Sequence, residues 1–175
     1  MPRYVAFLRG INLGPTNKIS MPELRALTEG LGYTDVATYL NSGNVILTAT
    51  DAASTIEQRL SGAIRSEFGL RVDVTVRTPA RLATIVAEDP YPEGSPSQVT
   101  VAFLTKAAPA EAKAKVAATA TESEPFTFSG QEVYVHYRDG LGRSKLAREF
   151  SAIIGVSATV RNLNTLDKIL ARNTP

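Results

Sequence analysis

Three short segments carry the residue types that could do chemistry. Arg9-Gly10-Ile11-Asn12-Leu13-Gly14 joins an apolar run to a helix pattern, the location where glycine-bearing loops offer backbone N–H groups to phosphate. It is neither a P-loop nor a dinucleotide fingerprint, since the G-x-x-x-x-G-K-[ST] and G-x-G-x-x-G spacings are both absent. Glycines alone would serve a tight strand exit, whereas Arg9, Asn12 and Lys18 exceed what such an exit needs. Asn41-Ser42-Gly43-Asn44 has the composition of a hairpin turn, with positive φ expected at Gly43, and it also presents amides and a hydroxyl. Arg161-Asn162 follows a strand pattern and precedes a helix whose N-cap is read as Asn164 or Thr165. Orphan N–H groups beside a guanidinium favour an anion there; the plainer reading is a cap, with Arg161 paired to a carboxylate.

Catalysis has less material. Without cysteine there is no disulfide, thiolate nucleophile or Cys-ligated metal, and His136, the single histidine, rules out a multi-histidine site within one chain. Ser42 lacks both a G-x-S-x-G setting and an S-x-x-K partner, and no carboxylate falls inside the motifs. No catalytic residue is assigned. Neither metal nor cofactor is expected, although oxygen-ligated Mg²⁺ stays open. His136 alternates with Val133, Val135 and Tyr137, so it is read as a surface residue on the face of Glu132 and Tyr134. The net charge of +2 is too small to signal nucleic acid by itself. Arg138 to Arg172 holds seven bases against three acids, and Ser144-Lys145 with Arg148 adds positive potential at a helix start. The aromatic-basic RNP signature is absent, so nucleic acid is a weakly supported partner.

The elements that must position these residues follow from periodicity. Tyr4 to Leu8 is an apolar run of the kind buried on both faces. Ser20-Met21-Pro22-Glu23 reads as a capping box, followed by Leu24, Leu27 and Leu31 at helical spacing. Strands over 35–40 and 45–48 flank the Asn41 hairpin, and Asp51 is read as the cap of a helix carrying Ile56, Leu60, Ile64 and Phe68. Arg71 to Arg77 alternates as a strand with one wet face, and Thr78-Pro79 opens a short third helix. Three prolines between Asp89 and Pro96 mark a break, after which strand, helix, two strands, helix, strand and a last helix recur.

The predicted fold is therefore α+β: two ferredoxin-like βαββαβ halves, each with a mainly antiparallel four-stranded sheet and an appended helix. Residues 1–90 form the motif-bearing half, 91–98 a Pro-rich linker and 99–175 the second half. Sequence identity between the halves reads as negligible, so the duplication rests on element order. With strand order 4-1-3-2, strands one and two run parallel, which brings the Arg9 loop and the Asn41 hairpin to one rim. No run reaches 18 apolar residues, and the N-terminal stretch is too short for a secretory h-region, so no membrane span and a cytoplasmic location are expected.

Leu8 to Gly14, Met21-Pro22-Glu23-Leu24, Thr38 to Val45 and Val160 to Thr165 together resemble the bacterial family DUF1697, a domain of unknown function. Its pattern is similar to R-G-I-N-x-G, T-Y-x-x-S-G-N and T-x-R-N-W-x-T, with Leu163 standing where the usual tryptophan would be. The resemblance implies a two-part α+β fold with related halves and brings no established activity or cofactor.

The functional expectation is a binding module for a small anionic ligand, a nucleotide or phosphorylated metabolite, or for nucleic-acid phosphate. Its ligand-binding residues are Arg9, Asn12, Lys18, Asn41, Ser42, Asn44, Arg161 and Asn162, with Arg161 and Asn162 expected to close over the rim. The alternatives are a transferase or hydrolase using the same polar cleft, with Ser42 or a bound metal ion, and a partner-binding protein using strand edges such as 71–77. Oligomeric state is not legible.

Overall fold

A strand reading Tyr4-Val5-Ala6-Phe7-Leu8 has no polar side chain to give to solvent, so it is stable only with cover on both faces. In the computed structural model, which describes residues 1–173, β1 (Arg3–Leu8) takes that central place. It pairs antiparallel with β3 (Asn44–Thr48) and β4 (Val74–Arg77), and β2 (Thr34–Tyr39) extends the sheet beyond β3, giving the order β2-β3-β1-β4. Between the strands lie α1 (Met21–Gly30) and α2 (Ala53–Phe68), and α3 (Pro79–Ala87) follows β4. The second series is β5 (Val99–Leu104), α4 (Ala110–Thr119), β6 (Phe126–Ser129), β7 (Glu132–His136), α5 (Lys145–Ile154), β8 (Ala158–Asn162) and α6 (Leu163–Asn173), with sheet order β6-β7-β5-β8. Both sheets are wholly antiparallel and share the expected 4-1-3-2 arrangement.

The chain divides into two compact units: Met1–Ala83 joined by Arg172 and Asn173, and Thr84–Ala171. In the first, Tyr4, Ala6, Leu8, Val45 and Leu47 on one sheet face pack with Leu24 of α1 and with Ile56, Leu60 and Ile64 of α2. Four-residue spacing turned those α2 side chains to one side, as the sequence indicated. In the second, Ala102, Leu104, Val133 and Val135 pack with Ala112 and Val116 of α4 and with Leu146, Phe150 and Ile154 of α5.

Local expectations fared unevenly. The Ser20 capping box is present: its hydroxyl accepts the Glu23 N–H at 3.3 Å while the Glu23 carboxylate accepts the Ser20 N–H at 3.2 Å. Asp51 does not cap α2. The N-cap is Ala52, without a side-chain bond, and the Asp51 carboxylate instead accepts from the Tyr33 hydroxyl at 3.0 Å and Arg59 Nη1 at 2.7 Å. The strand over 71–77 begins only at Val74, and Thr75, on its supposed wet face, is buried.

His136 is likewise buried, together with Glu132 and Tyr134, because β7 is an inner strand covered on its second face too. The Tyr134 hydroxyl donates to Ile85 O at 2.7 Å, and Tyr91, Glu93 and Gly94 of the Pro-rich segment lie against His136. A Cβ on Gly94 would come within 2.8 Å of His136 Cε1, and the Tyr91 ring centre is 5.8 Å from the imidazole. His136 Nδ1 has no hydrogen-bond partner among the described residues, and Glu93 Oε1 stands 3.9 Å away.

The registers also expose a repeat at residue level. Val5, Ala6, Phe7 and Leu8 face Arg77, Val76, Thr75 and Val74, while Val101, Ala102, Phe103 and Leu104 face Arg161, Val160, Thr159 and Ala158. The same Val-Ala-Phe-Leu strand thus pairs with the same Thr-Val-Arg strand end in each half. Halves judged dissimilar in sequence are alike where β1 and β5 build their sheets.

Candidate functional site

Since β1 and β2 both run antiparallel to β3, the chain leaves β1 and turns out of β2 at one end of the first sheet. Leu8 N–H donates to Gly43 O at 2.9 Å, closing the loop base onto the hairpin. Gly43 has φ +83°, and a Cβ there would lie 2.6 Å from Ile11 Cδ1 and 2.9 Å from Leu8 Cβ. Glycine is required twice over, by backbone conformation and by close approach.

Asn12 holds the two segments together. Its Nδ2 donates to Ile19 O and to Asn41 O, each at 2.8 Å, and its Oδ1 accepts the Ile19 N–H at 3.0 Å. Both amide protons are therefore committed within the protein, which makes Asn12 a brace for the loop. Asn44 is also a brace: fully buried, it donates through Nδ2 to Tyr39 O at 2.7 Å and to Ser42 Oγ at 3.2 Å. The Ser42 hydroxyl is thus tied to an amide of the same turn. Arg9 lies half-exposed with Nη1 3.4 Å from Asp73 Oδ2.

Two expected residues remain available. Lys18 and Asn41 are exposed, and neither side chain has a hydrogen bond or ion pair among the described residues. They line a groove of about 460 Å³ with Asn12, Ile19, Ser20, Met21 and Pro22. The start of α1 opens into the groove, but the Glu23 carboxylate already occupies it. Hydrogen bonds from Ser20 hold that carboxyl below its usual range, so the helix terminus itself is filled by a negative charge. Positive potential in the groove comes from Lys18.

The sequence reading missed Leu13 and Leu40, which are 82% and 48% exposed on the two braced segments. Leu40 has φ +59°, a left-handed conformation rare for a branched side chain. The signal was present in the sequence as a leucine set among turn-forming residues. Arg172, also missed, places its guanidinium carbon 4.5 Å from the Tyr39 ring centre, next to the hairpin.

Arg161 and Asn162 belong to the second unit. Arg161 lies on β8 opposite Val101, donates through Nη1 to Val160 O at 2.9 Å, and is pushed down to about 10 by burial. Asn162 is the helix cap expected two or three residues later: its Oδ1 accepts the Thr165 N–H at 2.9 Å. Thr78 does the same for α3, accepting the Arg81 N–H at 3.2 Å. Among the described residues no three histidine, aspartate or glutamate side chains gather as a metal site, and no helix is long and apolar enough to cross a membrane.

A rim of asparagine-braced loops on a ferredoxin-like sheet, repeated as a second sheet of the same order, defines a duplicated α+β protein. The chain belongs to the family described as "Protein of unknown function (DUF1697)", whose match covers residues 1–134 and so includes the Arg9 and Asn41 motifs but ends before Thr159. No curated protein matches it. Its structure is similar to that of the conserved bacterial protein SP0830 from Streptococcus pneumoniae, with a TM-score of 0.75 at 22% identity over 97% of each chain. At that identity the likeness concerns the fold.

Proposed function

We propose that the chain is a binding module for a small phosphate-bearing anion, held in the groove between the β1 loop and the β2–β3 hairpin. The observation that carries this reading is the division of labour on the rim. Asn12 and Asn44 spend their amides on bracing, while Lys18 and the Asn41 amide stand without partners on one groove. A rigid loop pair that displays a cation and a free amide is prepared for an acceptor-rich ligand. A cytoplasmic setting, where phosphorylated metabolites are abundant, goes with this reading.

The test is calorimetric titration of the whole chain with phosphate esters, beside a short oligonucleotide. Lys18→Ala is expected to weaken ester binding by about 1.5 to 3 kcal/mol, the scale of a charge-assisted hydrogen bond, with the melting temperature unchanged. Tight oligonucleotide binding with no ester binding would transfer the reading to nucleic-acid phosphate. An unaltered ester affinity in Lys18→Ala would refute it.

A further inference from the structure

The second compact unit holds a groove of about 570 Å³ that the anion reading does not use. Its walls are the turn over 121–124, ahead of β6, and the segment over 139–145 that leads into α5. Backbone bonds fix both: the Glu124 N–H donates to Thr121 O at 2.9 Å, the Arg138 N–H to Ser123 O at 3.0 Å and the Ser144 N–H to Leu141 O at 3.1 Å. Glu124, Asp139, Arg143 and Lys145 all line the groove, and none of them forms an ion pair among the described residues. For the three exposed side chains that is ordinary.

Glu124 is different, because it is only 7% exposed and a buried carboxylate needs donors. Its Oε2 accepts the Thr121 N–H at 2.9 Å, and its Oε1 has no donor among the described residues. A single N–H does not replace the water such a group gives up, so the groove presents an acceptor that lacks a cationic donor. The other wall suits an anion. The Ser144 hydroxyl accepts the Ala147 N–H at 2.9 Å, which leaves the Lys145 N–H without an acceptor among the described residues, and the first turn of α5 has no acidic residue.

We infer that this groove binds a small zwitterion, its primary ammonium received by Glu124 with Asp139 and its carboxylate by the Lys145 N–H and the Arg143 and Lys145 side chains. A simple anion or a simple cation would use one wall and be repelled by the charges of the other. The site shares no residue with the Lys18 groove, so it stands apart from the anion reading.

The experiment titrates the whole chain with L-alanine and L-alanyl-L-alanine, whose charges differ in separation, and with N-acetyl-L-alanine and L-alaninamide, which keep one charge each. At least one zwitterion is expected to bind about tenfold tighter than both one-charge compounds, the worth of one charge-assisted hydrogen bond. The better of the two fixes the spacing, and with it the source: a free amino acid or a short peptide. Glu124→Gln, whose amide oxygen can still accept the Thr121 N–H, should weaken that zwitterion by about tenfold and leave N-acetyl-L-alanine unchanged. Arg143→Ala, at an exposed position, should weaken the zwitterion severalfold with the melting temperature unchanged, which keeps the question decidable if the Glu124 variant does not fold. One-charge compounds or inorganic phosphate binding as tightly as the zwitterions, a zwitterion affinity that Arg143→Ala and a folded Glu124→Gln leave unaltered, or no zwitterion binding at millimolar concentration would each overturn the inference.

Discussion

Asn12 and Gly43 carry the rim at the scale of single residues, and they show two kinds of legibility. Positive φ at Gly43 was readable from the tight hairpin composition, and the observed +83° agrees. The proximity of Ile11 was not readable, because it depends on how the β1 loop folds back. Gly43→Ala combines left-handed strain with a 2.6 Å encounter at Ile11 Cδ1, so it should cost about 2 to 4 kcal/mol in urea denaturation. Asn12 and Asn44 were read from the sequence as ligand-binding residues, and in the structure their amides donate to backbone carbonyls of the rim. An asparagine that binds a ligand and one that braces a loop look alike in sequence, since the difference is which acceptors come within 3 Å. Lys18 and Asn41 remain as ligand-binding candidates because no such acceptors reach them.

Elements were read more reliably than the joints between them. The periods of α1 and α2 survive in the structure because each reflects burial of one face, whereas the alternation over 71–77 and 132–137 did not mark a wet face, since Thr75, Glu132, Tyr134 and His136 are all buried. Asp51 was misassigned because an acidic residue before a helix fits a cap as well as it fits a junction. Here it is a junction. The Asp51 carboxylate ties Tyr33, at the entrance to β2, to Arg59 of α2, whose Nη2 also donates to Leu31 O at 2.8 Å just past α1. The Arg59 hydrogen bond, then that of Tyr33, holds the Asp51 carboxyl below its usual 3.8. A depressed folded-state value means that this stabilisation is complete above about pH 4 and is lost as pH falls through the lowered value. Asp51→Asn should therefore lower the melting temperature at pH 7 and flatten its decline between about pH 4 and pH 2, measured by thermal melts across that range.

For the whole molecule, element order announced a duplication that residue identity seemed to deny. The matched registers of β1 with β4 and of β5 with β8 resolve this: identity between the halves is concentrated in those two strand pairs, while β3 and β7 agree only at Val45 and Val133. Scanning the chain for repeats without the registers dilutes seven shared positions among many unrelated ones. The repeat includes an oddity, for Thr75 and Thr159 occupy equivalent positions opposite Phe7 and Phe103, and both hydroxyls are buried without a hydrogen-bond partner among the described residues. Thr75→Val and Thr159→Val should each raise stability by about 1 kcal/mol, because a methyl of similar shape replaces an unsatisfied polar group. Chemical denaturation of the two variants side by side would check that the halves respond alike. The strap over His136 has a different consequence. The chain contains 1 histidine, and Gly94 seals it so closely that no side chain fits between them. A proton NMR spectrum of the unlabelled protein therefore holds a single set of imidazole signals, which reports the environment against Tyr91, Glu93 and Gly94 as a reporter built into the native sequence.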